Sequence, residues 1–204
     1  MLPLRTAPAL LLAAGEGRRL GLGPKALLPY RAVRCWSTRC RCCVPAAARR
    51  WWWSWRGRGA GRRRGRPGRL HGGAQPRLGV GMGSSLRVGL EALPGTASAA
   101  LVSLVDTPGV TAGAVARLLT AHRRGAQLAA AAYQGRRAHP VLIGAGYWAE
   151  AAAGAVGDSG ARTLLRDHAD ELDLVECGDV AVPDDIDTAE AWAAWRERSR
   201  PRAD

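Results

Sequence analysis

Pro8-Ala9-Leu10-Leu11-Leu12-Ala13-Ala14 is an unbroken apolar run that stops on Gly15, with Gly17, Gly21 and Gly23 close behind. A run of strand length without polar alternation suits a central strand of a parallel sheet, covered on both faces. It is far shorter than the roughly 20 residues a membrane-spanning helix needs, and we expect no membrane partner. Gly15-Glu16-Gly17-Arg18-Arg19 stands where a signal-peptide cleavage site and mature start would lie, so a buried first strand is expected rather than a leader. A strand that runs into a glycine-rich, basic loop lets main-chain N–H groups approach a phosphate, with Arg18, Arg19 and Lys25 adding positive charge. Such loops also occur merely as tight turns. The spacing is neither a Walker loop nor a dinucleotide fingerprint.

The formal charge of +13 invites a nucleic-acid reading until its location is considered. Residues 31–80 hold 14 Arg and no Lys, Asp or Glu, which leaves 16 basic against 17 acidic residues elsewhere. Five of the eight Trp and four of the five Cys share that window. The chain therefore reads as a near-neutral globular sequence with a foreign-looking middle.

After residue 80 the pattern is regular again. Ala99 to Val105 is a second buried strand, ending at Asp106-Thr107-Pro108. Thr111 caps a helix with Val115, Leu118 and Leu119 on one face, and Gly125 stops it. Strands follow at Gln127 to Tyr133 and Pro140 to Ile143, helices at Tyr147 to Ala155 and Ala161 to Ala169, and a strand at Leu172 to Cys177. A last helix starts near Thr188, with Asp187 and Glu190 spaced for a capping-box-like start. Alternating strands and helices indicate a parallel or mixed three-layer sheet that binds ligands beyond the carboxyl ends of its strands. Asp106, at such an end, faces the basic loop and could hold Mg²⁺, which favours one or two carboxylates plus phosphate oxygens; it could equally be a turn residue before Pro108. Asp184-Asp185-Ile186-Asp187 offers a second acidic group. Cys177 reads as a small buried apolar residue of a reducing compartment, and a cytoplasmic location is expected.

Leu12-Ala13-Ala14-Gly15-Glu16-Gly17-Arg18-Arg19-Leu20-Gly21, continuing to Pro24-Lys25-Ala26-Leu27-Leu28-Pro29, resembles the MobA-like NTP transferases, and most the molybdenum-cofactor cytidylyltransferase branch. The family pattern is LAAGxSxRMG followed by PKxLLP; Gly17 replaces the usual Ser and Leu20 the usual Met. The likeness continues through Gly81-Met82-Gly83-Ser84-Ser85-Leu86, Leu104-Val105-Asp106-Thr107-Pro108 and Thr111, Arg137-Ala138-His139-Pro140, Gly157-Asp158-Ser159-Gly160-Ala161-Arg162, and Asp185-Ile186-Asp187-Thr188. It covers about residues 7–31 and 75–196 in the family's order.

The resemblance implies one α/β domain over 1–204 with a Rossmann-like, three-layer, nucleotide-diphospho-sugar transferase-like fold. Leu12, Ala13, Ala14, Gly15, Gly17, Arg19, Lys25, Gly81, Ser84 and Ser85 would bind the NTP. Arg19 and Lys25 would neutralise its phosphates, and Asp106, with Asp187, would hold Mg²⁺. The acceptor's phosphate would attack the α-phosphorus and release pyrophosphate, so no nucleophilic Ser or Cys is expected. Ala14, where guanylyl-transferring relatives carry a second Gly, favours CTP over GTP. His139, Asp158 and Arg162 would face a phosphorylated acceptor such as molybdopterin, although His139 could also be a structural turn residue and Ala138 replaces the Gly of the usual RGHP. Transient contact with a molybdoenzyme or its chaperone is implied as well.

Residues 32–74 should supply a helix, a strand and a second helix, yet Trp51-Trp52-Trp53-Ser54-Trp55 and Arg62-Arg63-Arg64 fit none of these. Trp has the single codon TGG. Reading consecutive Trp codons from their last base gives GTG, valine, so the shifted frame turns Arg50 to Trp55 into a buried-strand sequence. We therefore expect a frame-shifted stretch bounded near Arg31 and between Arg69 and Gly81. As written, it should lie outside the core as irregular chain and leave a poor enzyme or none, because burying unpaired charge costs several kcal/mol per group. Two other readings of the stretch exist. Arg-Gly repeats and Trp could bind single-stranded nucleic acid, but the flanks carry no matching module. Cys35, Cys40, Cys42 and Cys43 lack the paired spacing of a structural zinc site.

Overall fold

The computed structural model describes residues 7–13, 17, 19–23, 25, 28–30, 33–34, 50–55, 69–74 and 81–198. Cys35 to Cys43, Arg62 to Arg64, Ala14, Gly15 and Arg18 lie outside the described residues.

The apolar run Ala9–Leu12 is strand β1, and all four of its residues are buried. A short antiparallel pair follows, β2 (Pro29–Tyr30) and β3 (Val33–Arg34). The main sheet continues with β4 (Arg50–Trp55) and β5 (Arg69–Ala74), then β6 (Ala99–Leu104), β7 (Leu128–Tyr133), β8 (Arg136–Gly144) and β9 (Leu172–Glu176). The order across its seven described strands is β5-β4-β1-β6-β8-β7-β9. β1 is parallel to both neighbours, with Ala9 opposite Trp51 on one side and Leu101 on the other. β8 runs antiparallel to β6 and to β7, while β9 pairs with β7 in parallel. Every main-sheet strand except β8 thus ends at one edge of the sheet.

Helices cover both faces. They are α1 (Gly81–Glu91), α2 (Ala112–Arg124), α3 (Trp148–Gly154), α4 (Arg162–Asp167) and α5 (Ala189–Arg198). Successive β1 side chains divide between two cores, as the two-residue strand period requires. Ala9 and Leu11 pack with Leu101, Val115, Leu118 and Trp192, whereas Leu10 and Leu12 pack with Val102, Leu86, Leu90, Leu164 and Leu165. This is the three-layer, Rossmann-like α/β arrangement expected from the sequence. Among the described residues no helix is long and apolar enough to cross a membrane.

The caps of α2 agree with the sequence. Thr111 Oγ1 accepts from the Ala114 N–H at 3.3 Å, and Gly125, at φ 124°, closes the helix. The start of α5 differs: Thr188, not Asp187, caps it, its Oγ1 accepting from the Ala191 N–H at 3.2 Å. A hydroxyl one residue nearer the helix suffices for the cap, and Asp187 is left to turn elsewhere.

The stretch 32–74 also differs from expectation. It was expected to be irregular throughout and outside the core, yet Arg50–Trp55 and Arg69–Ala74 are strands of the main sheet, paired in parallel with Arg50 opposite Arg69. A ladder is built from main-chain groups whatever the side chain, and Trp is among the residues most favoured in strands. The sequence as written therefore supports a strand beside β1.

Candidate functional site

Three connections leave the common edge of the sheet and meet. From β1 the chain runs through Gly17, whose φ of 66° places its Cα against the Gly23 carbonyl, to Lys25. From β6 it reaches Asp106. From β9 it passes Cys177, whose carbonyl holds the Val180 and Ala181 N–H groups, and then Val182, whose N–H donates to the Gly109 carbonyl. The Ile186 N–H then donates to the Asp106 carbonyl at 2.9 Å. Ile186 itself is buried at 4% exposure, so in this extended segment its neighbours Asp185 and Asp187 point together toward Asp106.

Asp106, Asp185 and Asp187 each offer a carboxylate oxygen, and these oxygens lie within 4.8 Å of one another. Lys25 sits among them. Its Nζ donates to Asp106 Oδ2 at 2.9 Å and to Asp187 Oδ1, and its side chain is only 11% exposed. Burial alone would depress the Lys25 pKa, but the charge of Asp106 and the hydrogen bonds to Asp187 and Asp106 outweigh it and hold the ammonium above its ordinary value. The hydrogen bond from Lys25 in turn holds the Asp187 carboxyl low. At Asp185 burial and the charges of Asp106 and Asp187 outweigh the lowering by Lys25 and Arg19 and push it up to about 6. Arg19, on the exposed side, reaches Asp187 Oδ2 at 3.4 Å. Asp106 Oδ1 is buried and has no hydrogen-bond partner. The donor set is all carboxylate oxygen with spare capacity, which suits a hard divalent cation such as Mg²⁺ or Mn²⁺.

The sequence reading named Lys25, Arg19, Asp106 and Asp187, and the structure brings these four together. It did not select Asp185 from the acidic run. The signal was present: two Asp flanking a single Ile are i and i+2, one face of an extended chain whose other face is apolar. Asp184 goes elsewhere, to Arg198 at 2.7 Å.

The remaining residues fall into three places. Leu12 and Ala13 are buried core residues, and the Leu12 carbonyl accepts from the Val105 N–H. Gly81, Ser84 and Ser85 lie in the first turn of α1, Ser84 Oγ donating to the Gly81 carbonyl and Ser85 fully buried, and Met82 and Gly83 lock that turn to the 157–160 loop. The Gly83 N–H donates to the Gly157 carbonyl at 2.8 Å, and the Met82 N–H donates to Asp158 Oδ1 at 3.1 Å. Asp158 thus holds the start of α1, while Arg162 is exposed at the start of α4. His139 lies on β8 with its Nδ1 buried and unpartnered. Burial lowers the His139 pKa despite the opposing charge of Asp106, so the imidazole is neutral at pH 7.

Residues 9–172 match the profile of the MobA-like NTP transferase domain, four-fifths of the chain, from β1 through α4 to the first residue of β9. The chain belongs to this family. Nucleotidyl transfer is the chemistry that defines it. The chain is also 38% identical over 198 residues to the nicotine blue oxidoreductase of Paenarthrobacter nicotinovorans, covering 88% of this chain and 91% of that protein. Among solved structures it resembles the Rv0371c homologue from Mycobacterium sp. strain JC1, with 27% identity, a TM-score of 0.73, and 94% and 96% of the two chains covered. The manganese complex of Rv0371c from Mycobacterium tuberculosis shares the fold at 21% identity and a TM-score of 0.73, with 95% and 98% covered. In this chain the fold brings Lys25 and the three aspartates together at the sheet edge.

Proposed function

We propose that the chain moves a nucleotidyl group from CTP to a phosphorylated small molecule, molybdopterin being the first candidate, and releases pyrophosphate. The observation that carries this reading is the buried Lys25 ammonium set among Asp106, Asp185 and Asp187 at the mouth of the glycine-rich loop. Arg19 and Lys25 neutralise the triphosphate, and the acceptor phosphate attacks the α-phosphorus in line with the departing pyrophosphate. Such transfer asks the protein for alignment and charge neutralisation rather than a covalent intermediate. Asp106, Asp185 and Asp187 would hold Mg²⁺, which when bound supplies positive charge to the phosphate oxygens. Gly81 and Ser84 would face the nucleotide, Ser85, which is fully buried, would only support their turn, and His139, Asp158 and Arg162 would face the acceptor, with His139 as a neutral hydrogen-bonding group. Ala14 is the basis for CTP over GTP. The whole chain acts as one domain in the cytoplasm, in transient contact with the molybdoenzyme that receives its product or with that enzyme's chaperone.

The test is pyrophosphate release from each NTP with Mg²⁺ and molybdopterin. Release with CTP and molybdopterin together, and with neither alone, is expected; no release with any NTP would end the transferase reading. The 38% identity to an enzyme named for oxidoreduction supports a second reading, in which the same loops hold a nucleotide cofactor for hydride transfer to a coloured substrate. Oxidation of a reduced nicotinamide dinucleotide, followed by its absorbance with nicotine blue as acceptor, separates the two.

A further inference from the structure

Lys25 occupies the place where the site's chemistry calls for a metal. Its Nζ takes Asp106 Oδ2 and Asp187 Oδ1, two of the three carboxylates whose oxygens converge within 4.8 Å. A divalent ion seeking the same oxygens meets an ammonium within hydrogen-bond reach of them, and like charges in a half-desolvated setting repel strongly. Without any cation the three carboxylates, whose oxygens converge within 4.8 Å, repel one another. We infer that Lys25 is a built-in counter-cation, holding the carboxylates together in the empty enzyme and leaving them for the nucleotide's phosphates when the divalent ion arrives.

This inference rests on the metal-site reading proposed above and adds a consequence to it. Metal and nucleotide are coupled through Lys25: the phosphates draw the ammonium away and free the carboxylates, and by linkage the metal strengthens nucleotide binding by the same factor. Metal alone should therefore bind weakly. The long Lys stem makes the exchange feasible, since four methylene torsions let Nζ move while the backbone stays fixed by the Leu28 N–H to Lys25 carbonyl hydrogen bond.

The experiment is Mn²⁺ titration of nucleotide-free protein, read by the loss of the free-ion paramagnetic resonance signal. Lys25→Met keeps the stem and removes the charge, Lys25→Arg keeps the charge, and Asp106→Asn removes a ligand. Lys25→Met is expected to bind Mn²⁺ at least tenfold more tightly than wild type, Lys25→Arg no more tightly, and Asp106→Asn not at all at this site. Thermal unfolding gives a second readout: Lys25→Met should melt below wild type in chelator and gain more from Mn²⁺ than wild type does. Should Lys25→Met bind no more tightly while Asp106→Asn abolishes binding, the metal site stands and the counter-cation role is overturned. Wild-type-like Mn²⁺ binding by Asp106→Asn overturns the metal site and the inference together.

Discussion

The main-chain N–H of Ile186 donates to the carbonyl oxygen of Asp106 across 2.9 Å, joining the connection after β9 to the one after β6. This one bond sets the register in which Asp185 and Asp187 meet Asp106, because Ile186 is buried between them. A site assembled from backbone contacts of this kind makes side-chain roles separable by substitution.

Asp106→Ala should lose at least about a hundredfold in pyrophosphate release, since a ligand or charge acting on the phosphates is worth several kcal/mol in the transition state. The backbone contact to Ile186 survives this change, so circular dichroism should show a folded protein. Full turnover by folded Asp106→Ala would remove Asp106 from the proposed chemistry.

Asp187 and Thr188 are adjacent but do different things. Thr188→Ala should lower stability by about 1 kcal/mol through loss of the α5 cap, with turnover unchanged. Asp187→Asn should do the reverse, weakening turnover through Lys25 with little effect on the urea midpoint. Equal stability losses in both variants would contradict the assignment of the cap to Thr188.

Gly81 has φ 76°, and a Cβ there would stand 2.2 Å from the Gly157 carbonyl oxygen. Gly81→Ala should therefore push α1 away from the 157–160 loop, at a cost of roughly 1–3 kcal/mol from the backbone conformation alone. A lowered melting temperature together with a raised KM for NTP is the expected result. Gly95→Ala, where a Cβ meets nothing within 4 Å, is the control that should change neither.

Protonated His168 donates through Nδ1 to Glu171 at 2.8 Å and through Nε2 to Glu150 at 2.9 Å, and these two hydrogen bonds raise its pKa above the ordinary 6.5. Glu171 is lowered below 4.5, chiefly by its hydrogen bonds to Tyr147 and His168. A raised His contributes stability that is complete below 6.5 and is lost as pH rises through its folded value; a lowered Glu contributes stability that is complete above 4.5 and is lost as pH falls through its folded value. Their joint contribution is greatest between about 4.5 and 6.5. His168→Gln should thus lower the urea midpoint more at pH 6 than at pH 9, and a pH-independent difference would refute the charged pairing.

The sequence alone determined the central strand, its glycine-rich exit and the α2 caps, because these depend on local periodicity and on single residues such as Thr111 and Gly125. It also marked Lys25, Arg19, Asp106 and Asp187, through motifs whose chemistry is written in residue type and order. Tertiary structure decided what these residues do to one another. That Lys25 bridges Asp106 and Asp187, that Asp185 joins them and Asp184 does not, and that Thr188 rather than Asp187 caps α5 all depend on how three distant connections meet at the sheet edge. Arg50–Trp55 shows the same division from the other side: composition spoke against a strand of the main sheet, while main-chain pairing with β1, which no composition reveals, placed one there. Local signals fix elements; the convergence of charges on one buried ammonium exists only after the chain has folded.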